Sequence, residues 1–190
     1  PREWAARGGG LEARIVPAGV HLREGTRKLD VEYVGGLPGA TVGGCGVAEG
    51  HLNFFLGDEP GLWRRGVPAY DCAQVRGLYP GIDLRLTESA GRLKSEYVVI
   101  PGAAPSQIRI RYAPARAVAL ETDGSLRIDS ADGVWREEAP VLYQRRGTRV
   151  EVVAGSYEVA SDGLVGFHVG DYDRSLPLVI DPVVTFSTLM

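Results

Sequence analysis

The chain has 190 residues, 44% of them hydrophobic and 24% charged, which is enough apolar material for one large domain or two small ones with a packed core. Twenty-one basic against 24 acidic side chains leave a net charge of -3, so there is no electrostatic ground for nucleic acid or an anionic membrane as partner. No apolar run approaches the roughly 18 residues that a membrane-spanning helix needs.

Residues 1–10 are polar and glycine-rich, without the apolar stretch of a secretory leader. Apolar and polar residues then alternate. Leu11, Ala13 and Ile15, then Val20 and Leu22, then Leu29, Val31 and Tyr33 read as three short strands with one buried face each. Gly35-Gly36-Leu37-Pro38-Gly39 and Gly43-Gly44 mark loops or glycine-weakened strand. Trp63, Tyr70 and Tyr79 fall in the least regular stretch, and Tyr79-Pro80-Gly81 breaks the chain near a candidate sub-boundary at residues 75–81. Ile82, Leu84 and Leu86 alternate again, Leu93–Ile100 reads as their hairpin partner, and Ile108, Ile110 and Tyr112 make a further strand.

From about Arg116 to Val169 the spacing predicts an antiparallel meander. Asp123-Gly124, Asp132-Gly133 and Asp162-Gly163 tolerate the positive φ of tight hairpin turns, and Arg146-Gly147 marks a fourth. Leu178-Val179-Ile180 is a short buried strand, which Asp181-Pro182 should end or bring to a sheet edge. No long stretch keeps a helical period. The expected fold is therefore all-β, an antiparallel β-sandwich up to super-sandwich size with little helix. One domain is expected over residues 1–182, with 183–190 as a linker, tail or edge strand leading onward.

The chemistry-bearing residues each have a plainer reading. Cys45 and Cys72 form either a disulfide in an oxidising compartment or two separate buried thiols. Asp83 and Glu96 face each other if their strands form a hairpin, which would suit acid–base work on a glycosidic bond; the plainer reading is a solvated strand face beside Arg85 and Lys94. His21, His51 and His168 lack a nucleophile motif and read as structural. Asp58-Glu59 and Asp171-Tyr172-Asp173 do not match a calcium loop and read as turn formers. Trp63, Tyr70 and Tyr79 are the candidate ligand- or partner-binding residues, since flat aromatic faces suit sugars and protein partners alike; core packing is the alternative. Trp135 and Tyr143 read as core. No catalytic residue, metal or cofactor is expected.

Five strings recur in a fixed order: NFFLGDEPGLWRRGVPAY (53–70), VRGLYPGIDLRL (75–86), LKSEYVVIPGAAPSQIRIRY (93–112), APVLYQ (139–144) and VGFHVGDYDRSLPLVIDPVVTFSTLM (165–190). In this the chain resembles the domain that precedes SBBP-type β-propeller repeats in large bacterial secreted or cell-surface proteins. The resemblance covers most of the chain from about residue 10 and leaves both cysteines outside its strings. It implies an extracellular or surface setting, a propeller after LVIDP as partner in the same chain, and a non-catalytic structural or docking role. A carbohydrate-binding module is the alternative, with polysaccharide or another surface protein as partner, and a hydrolase or sugar epimerase comes third.

Overall fold

A computed structural model of the chain describes residues 4–8, 10–54, 64–89 and 92–186. Among these residues there is no α-helix, only a single 3-10 turn at Pro105–Gln107. The first strands are β1 (Trp4–Gly8), β2 (Leu11–Val16), β3 (Gly19–Glu24) and β4 (Arg27–Tyr33). Alternation settles their faces: Leu11, Ala13, Ile15, Val20, Leu22, Leu29, Val31 and Tyr33 are buried and their neighbours point outward. A long hairpin follows, β5 (Thr41–Phe54) and β6 (Arg64–Tyr79), then β7 (Ile82–Ser89) and β8 (Arg92–Val99). The chain continues through β9 (Ile110–Ala113), β10 (Ala115–Leu120), β11 (Leu126–Ser130), β12 (Gly133–Glu137), β13 (Val141–Arg146) and β14 (Arg149–Val153). It ends with β15 (Gly155–Val159), β16 (Val165–Val169), β17 (Leu178–Asp181) and β18 (Val183–Phe186).

Two antiparallel sheets pack as a sandwich. The smaller has seven strands in the order β1-β2-β3-β4-β9-β16-β15. The larger has eleven and branches. Strands β5 to β8 lie side by side, β17 and β18 line the far side of β8, and from there one arm is β13-β14 and the other β12-β11-β10. The buried faces share one core, in which Trp135, Tyr79, Tyr97, Leu29 and Ile110 are among the most enclosed side chains. Residues 75–81, the candidate sub-boundary, are the end of β6 and the turn into β7, both paired within the larger sheet.

The turn chemistry acts as the sequence predicts at Asp123-Gly124 and Asp162-Gly163. At β10–β11 the Glu121 N–H donates to Ser125 O and the Gly124 N–H to Glu121 O, with Gly124 at φ 82 and Asp123 Oδ1 accepting from the Ser125 N–H. Ser161-Asp162-Gly163 repeats this three-residue loop, with Gly163 at φ 77 and Asp162 Oδ1 accepting from the Leu164 N–H. At β11–β12 the turn is shifted by one: Ser130 pairs with Gly133, so Ala131-Asp132 is the loop and Gly133 opens the strand. The single meander expected over 116–169 is divided. Strand β12 pairs with β18, hairpin β13–β14 joins β17, and hairpin β15–β16 belongs to the smaller sheet. Alternation and turns define hairpins, but neighbouring of hairpins is set by tertiary packing.

The C-terminal segment also departs from expectation. Val183–Phe186 is an interior strand, not a tail or an edge. Strands β17 and β18 run along β8 in one unbroken register, from Leu178 opposite Val99 to Val184 opposite Leu93. Their other side is covered by β13 and then by β12. Pro182 lies where one arm gives way to the other; its carbonyl still accepts from the Ser95 N–H, so the missing proline N–H removes one bond from a ladder held on both sides. Residues 187–190 lie outside the described residues.

Candidate functional site

The two aromatic candidates that the structure describes, Tyr70 and Tyr79, do not share one platform. Trp63 lies outside the described residues. Tyr79 is 2% exposed, and its hydroxyl both donates to Arg109 O at 2.9 Å and accepts from the Arg109 N–H at 3.2 Å. It therefore ties β6 to the entry of β9 and is closed to ligands. Tyr70 remains 37% exposed and meets Trp4 edge to face at 4.7 Å between centroids. Both rings lie over Gly44, where an added Cβ would stand 2.3 Å from Tyr70 Cδ1 and 2.6 Å from Trp4 Cη2. Beside them Cys45 and Cys72 are directly opposed on β5 and β6 and joined by a disulfide.

The hairpin that would bring Asp83 and Glu96 together forms, but its register puts Val98 opposite Asp83 and Arg85 opposite Glu96. Asp83 accepts from Gln74 Nε2 at 3.1 Å and from the Gly77 N–H at 2.7 Å, so both of its oxygens fix the end of β6. Glu96 is gathered instead with Asp181. Lys94 Nζ lies 3.0 Å from Glu96 Oε1 and 2.8 Å from Asp181 Oδ2. The Tyr143 hydroxyl reaches Glu96 at 3.4 Å and Arg85 stands at 3.7 Å. Burial works to lower the Lys94 ammonium, but the two carboxylates outweigh it and hold the group above its usual range. Burial raises the Asp181 carboxyl, with Lys94 offsetting only part of the shift. The two directions agree physically, because Lys94 has two acids while Asp181 keeps one buried oxygen without a hydrogen-bond partner. The cluster joins β8 to β17 from the outside.

A further carboxylate, which the sequence analysis did not single out, sits between the sheets. Glu137 is 4% exposed and accepts a hydrogen bond from the Tyr112 hydroxyl across the sandwich. Burial raises its carboxyl to about 7, against an ordinary 4.5, and the Tyr112 bond only partly opposes this. Burial likewise raises the phenols of Tyr33, Tyr97, Tyr112 and Tyr157, with the Glu137 charge adding to each. Strand parity was the available signal, since Trp135 points inward and Glu137, two residues on, must follow it.

The remaining polar candidates lie on the surface. His168 is exposed on the face opposite Phe167, as its strand position predicts, and His51 has no described side chain. His21 Nδ1 is 2.8 Å from Asp30 Oδ1. These two border an open groove of about 470 Å³ with Glu12, Arg14, Arg23 and Lys28. Arg23 and Lys28 are directly opposed across β3–β4, an unfavourable juxtaposition of like charges. Asp173 is a turn former: it accepts from the Ser175 hydroxyl and N–H and pairs with Arg146, and these contacts hold its carboxyl at about 2. Asp58 and Glu59 lie outside the described residues. Among the described residues no three His, Cys, Asp or Glu side chains converge as metal ligands.

Tyr143, expected in the core, is half-buried on the outer face; Gln144 takes the inward position. Gln144 Nε2 donates to the carbonyls of Asp173, Leu176 and Pro177, and its Oε1 accepts from the Asp173 N–H. Tyr143 forms an outer-face row with Val152, Val179 and Val98, and the Arg145 guanidinium sits 5.5 Å over its ring.

The fold and these surfaces define an all-β module of two packed antiparallel sheets. The chain belongs to the family described as a domain of unknown function, DUF7948, which it matches over residues 15–183. No curated protein and no solved structure matches it.

Proposed function

We propose that this domain is a non-catalytic structural and docking module that stands at the head of a secreted or cell-surface protein and carries an SBBP-type β-propeller behind it. The observation that supports this most is the course of residues 178–186. This last described segment is hydrogen-bonded along one side to β8 and along the other to β13 and β12, so a domain following it would start from a rigid point. The Cys45–Cys72 bridge is compatible with an oxidising, extracellular setting. The test is small-angle scattering and limited proteolysis of this domain joined to SBBP-type repeats. The expected result is one rigid body with a protease-resistant junction. Two bodies tumbling independently on a cleavable linker would overturn the reading.

A second reading, carbohydrate binding, is supported by the groove on the outer face of β2–β4, where Arg14, His21, Arg23, Lys28 and Asp30 offer polar edges of both signs. Titration with neutral and acidic polysaccharides, followed by Arg23→Gln and Lys28→Gln, tests it. Binding that is lost in these variants would favour it over docking alone.

A further inference from the structure

The β13–β14 hairpin closes one arm of the larger sheet, and β14 has β13 as its only strand partner among the described residues. The turn has two residues, Gly147 and Thr148, so Arg146 and Arg149 form the closing, hydrogen-bonded pair. Bonded and non-bonded pairs alternate in an antiparallel ladder. Gln144–Glu151 and Leu142–Val153 are then bonded pairs, while Arg145–Val150 and Tyr143–Val152 are not. It follows that the N–H and C=O groups of Val150 and Val152 point away from β13, toward the side on which no strand pairs with β14 among the described residues. Their side chains are 50% and 79% exposed. Natural sheet edges are commonly blocked by a proline, a bulge or a charge on the exposed face. Strand β14 has no proline, no register shift, and only valines on that face.

We propose that β14 is a self-association edge, and that a second copy of this chain pairs with it antiparallel about a two-fold axis at Val150. Charge chooses both the occupant and the register. A two-fold pairing is isologous, so each residue meets its own counterpart or one placed symmetrically. Three registers set the outward groups of the two strands opposite one another, centred on Val150, Glu151 or Val152. Centring on Glu151 opposes Glu151 to itself, which is unfavourable. Centring on Val152 pushes Arg149 beyond the end of the facing strand. Centring on Val150 sets Arg149 of each copy opposite Glu151 of the other, twice, with Val150 against Val150 and Val152 beside Thr148. Arg149 and Glu151 lie 3.7 Å apart on one face of β14, and Glu151 also stands 3.9 Å from Arg146 on β13, so in this register the second copy's Arg149 would join a cationic setting that Glu151 already has.

The experiment is sedimentation equilibrium of the 190-residue chain over a concentration series, with circular dichroism to confirm the fold of each variant. The expected result is a reversible monomer–dimer equilibrium. Val150→Lys should weaken it at least tenfold without lowering the melting temperature, because the side chain is surface-exposed. Arg149→Glu and Glu151→Arg should each weaken it as well, and the double exchange should restore it. A chain monomeric at every concentration, a dimer indifferent to Val150→Lys, or a double exchange that fails to recover association would overturn the proposal. A β14 protected from hydrogen exchange only when a propeller is joined would also overturn it, and would assign the edge to that partner.

Discussion

Glu137 carries a carboxyl into the core of the sandwich. Its carboxyl is enclosed between the sheets, with the Tyr112 hydroxyl as its hydrogen-bond donor. Below about pH 4.5 the group is protonated in both the folded and the unfolded chain, and it has no pH-dependent effect. As pH rises toward about 7, the unfolded chain releases the proton while the folded chain retains it. Stability should therefore fall across that window and level off above it, by on the order of 3 kcal/mol at roughly 1.4 kcal/mol per pKa unit. Asp181, also raised by burial, acts in the same sense. Asp123 and Asp173 are held near 2 by their serine partners and act in the opposite sense, but only at lower pH. Denaturant melts of the parent chain and Glu137→Gln from pH 4 to 8 test this: the variant should show a much flatter profile. An unchanged slope would show that the carboxyl is not the source. Gly44 makes a second residue-scale case. Gly44→Ala should destabilise by about 1–3 kcal/mol through overpacking against Trp4 and Tyr70. It should also alter the near-ultraviolet dichroism of the tryptophans; a neutral result would mean both rings move aside freely.

At the scale of elements, the hairpin β5–β6 is long, and its described part ends at Phe54 and Arg64. The bridge between Cys45 and Cys72, 27 residues apart, fixes it below the tip. In the chain-entropy model, closing a loop of that length stabilises by about 3–4 kcal/mol. Reduction, or replacing both cysteines by serine, should lower the melting temperature accordingly, and an unchanged melt would mean the pairing of β5 with β6 suffices alone. What the sequence made legible at this scale was local. Asp123-Gly124 and Asp162-Gly163 form the same three-residue loop because the aspartate side chain and the glycine's positive φ act within a few residues. Strand faces followed from parity wherever apolar residues alternated cleanly. They depart from that pattern at Tyr143-Gln144, where a polar side chain points inward because four backbone partners from the 173–177 loop satisfy it. The Asp83–Glu96 pair failed by register: Glu96 found Asp181, 85 positions away, through a strand neighbour that no local pattern announces.

For the whole molecule, the position of β18 matters most. Proline normally ends a strand or sits on an edge, so Asp181-Pro182 reads from the sequence as a boundary. The larger sheet overrides this because the segment fills the slot where its two arms diverge. Val184 is buried, β8 bonds it on one side and β12 on the other, and Glu138 N–H donates to Val183 O across the seam. Ending the chain after Pro182 would leave Leu93 and Trp135 without their strand neighbours Val184 and Phe186 and turn two interior strand sides into open edges. Burial of one Val side chain stabilises by roughly 1.5–3 kcal/mol, and a buried backbone group left without its bond costs about 1–3 kcal/mol. Several such losses together are comparable to the whole stability of a domain, about 5–15 kcal/mol. The truncated chain should therefore melt far below the parent or fail to fold, and its newly opened β8 and β12 edges should make it aggregate. Val184→Asp should reproduce much of this loss within the full-length chain, by placing a charge in the core at that same strand. A truncated chain with an unchanged melting temperature would show instead that residues 178–182 hold the sheet alone and that β18 belongs to whatever follows.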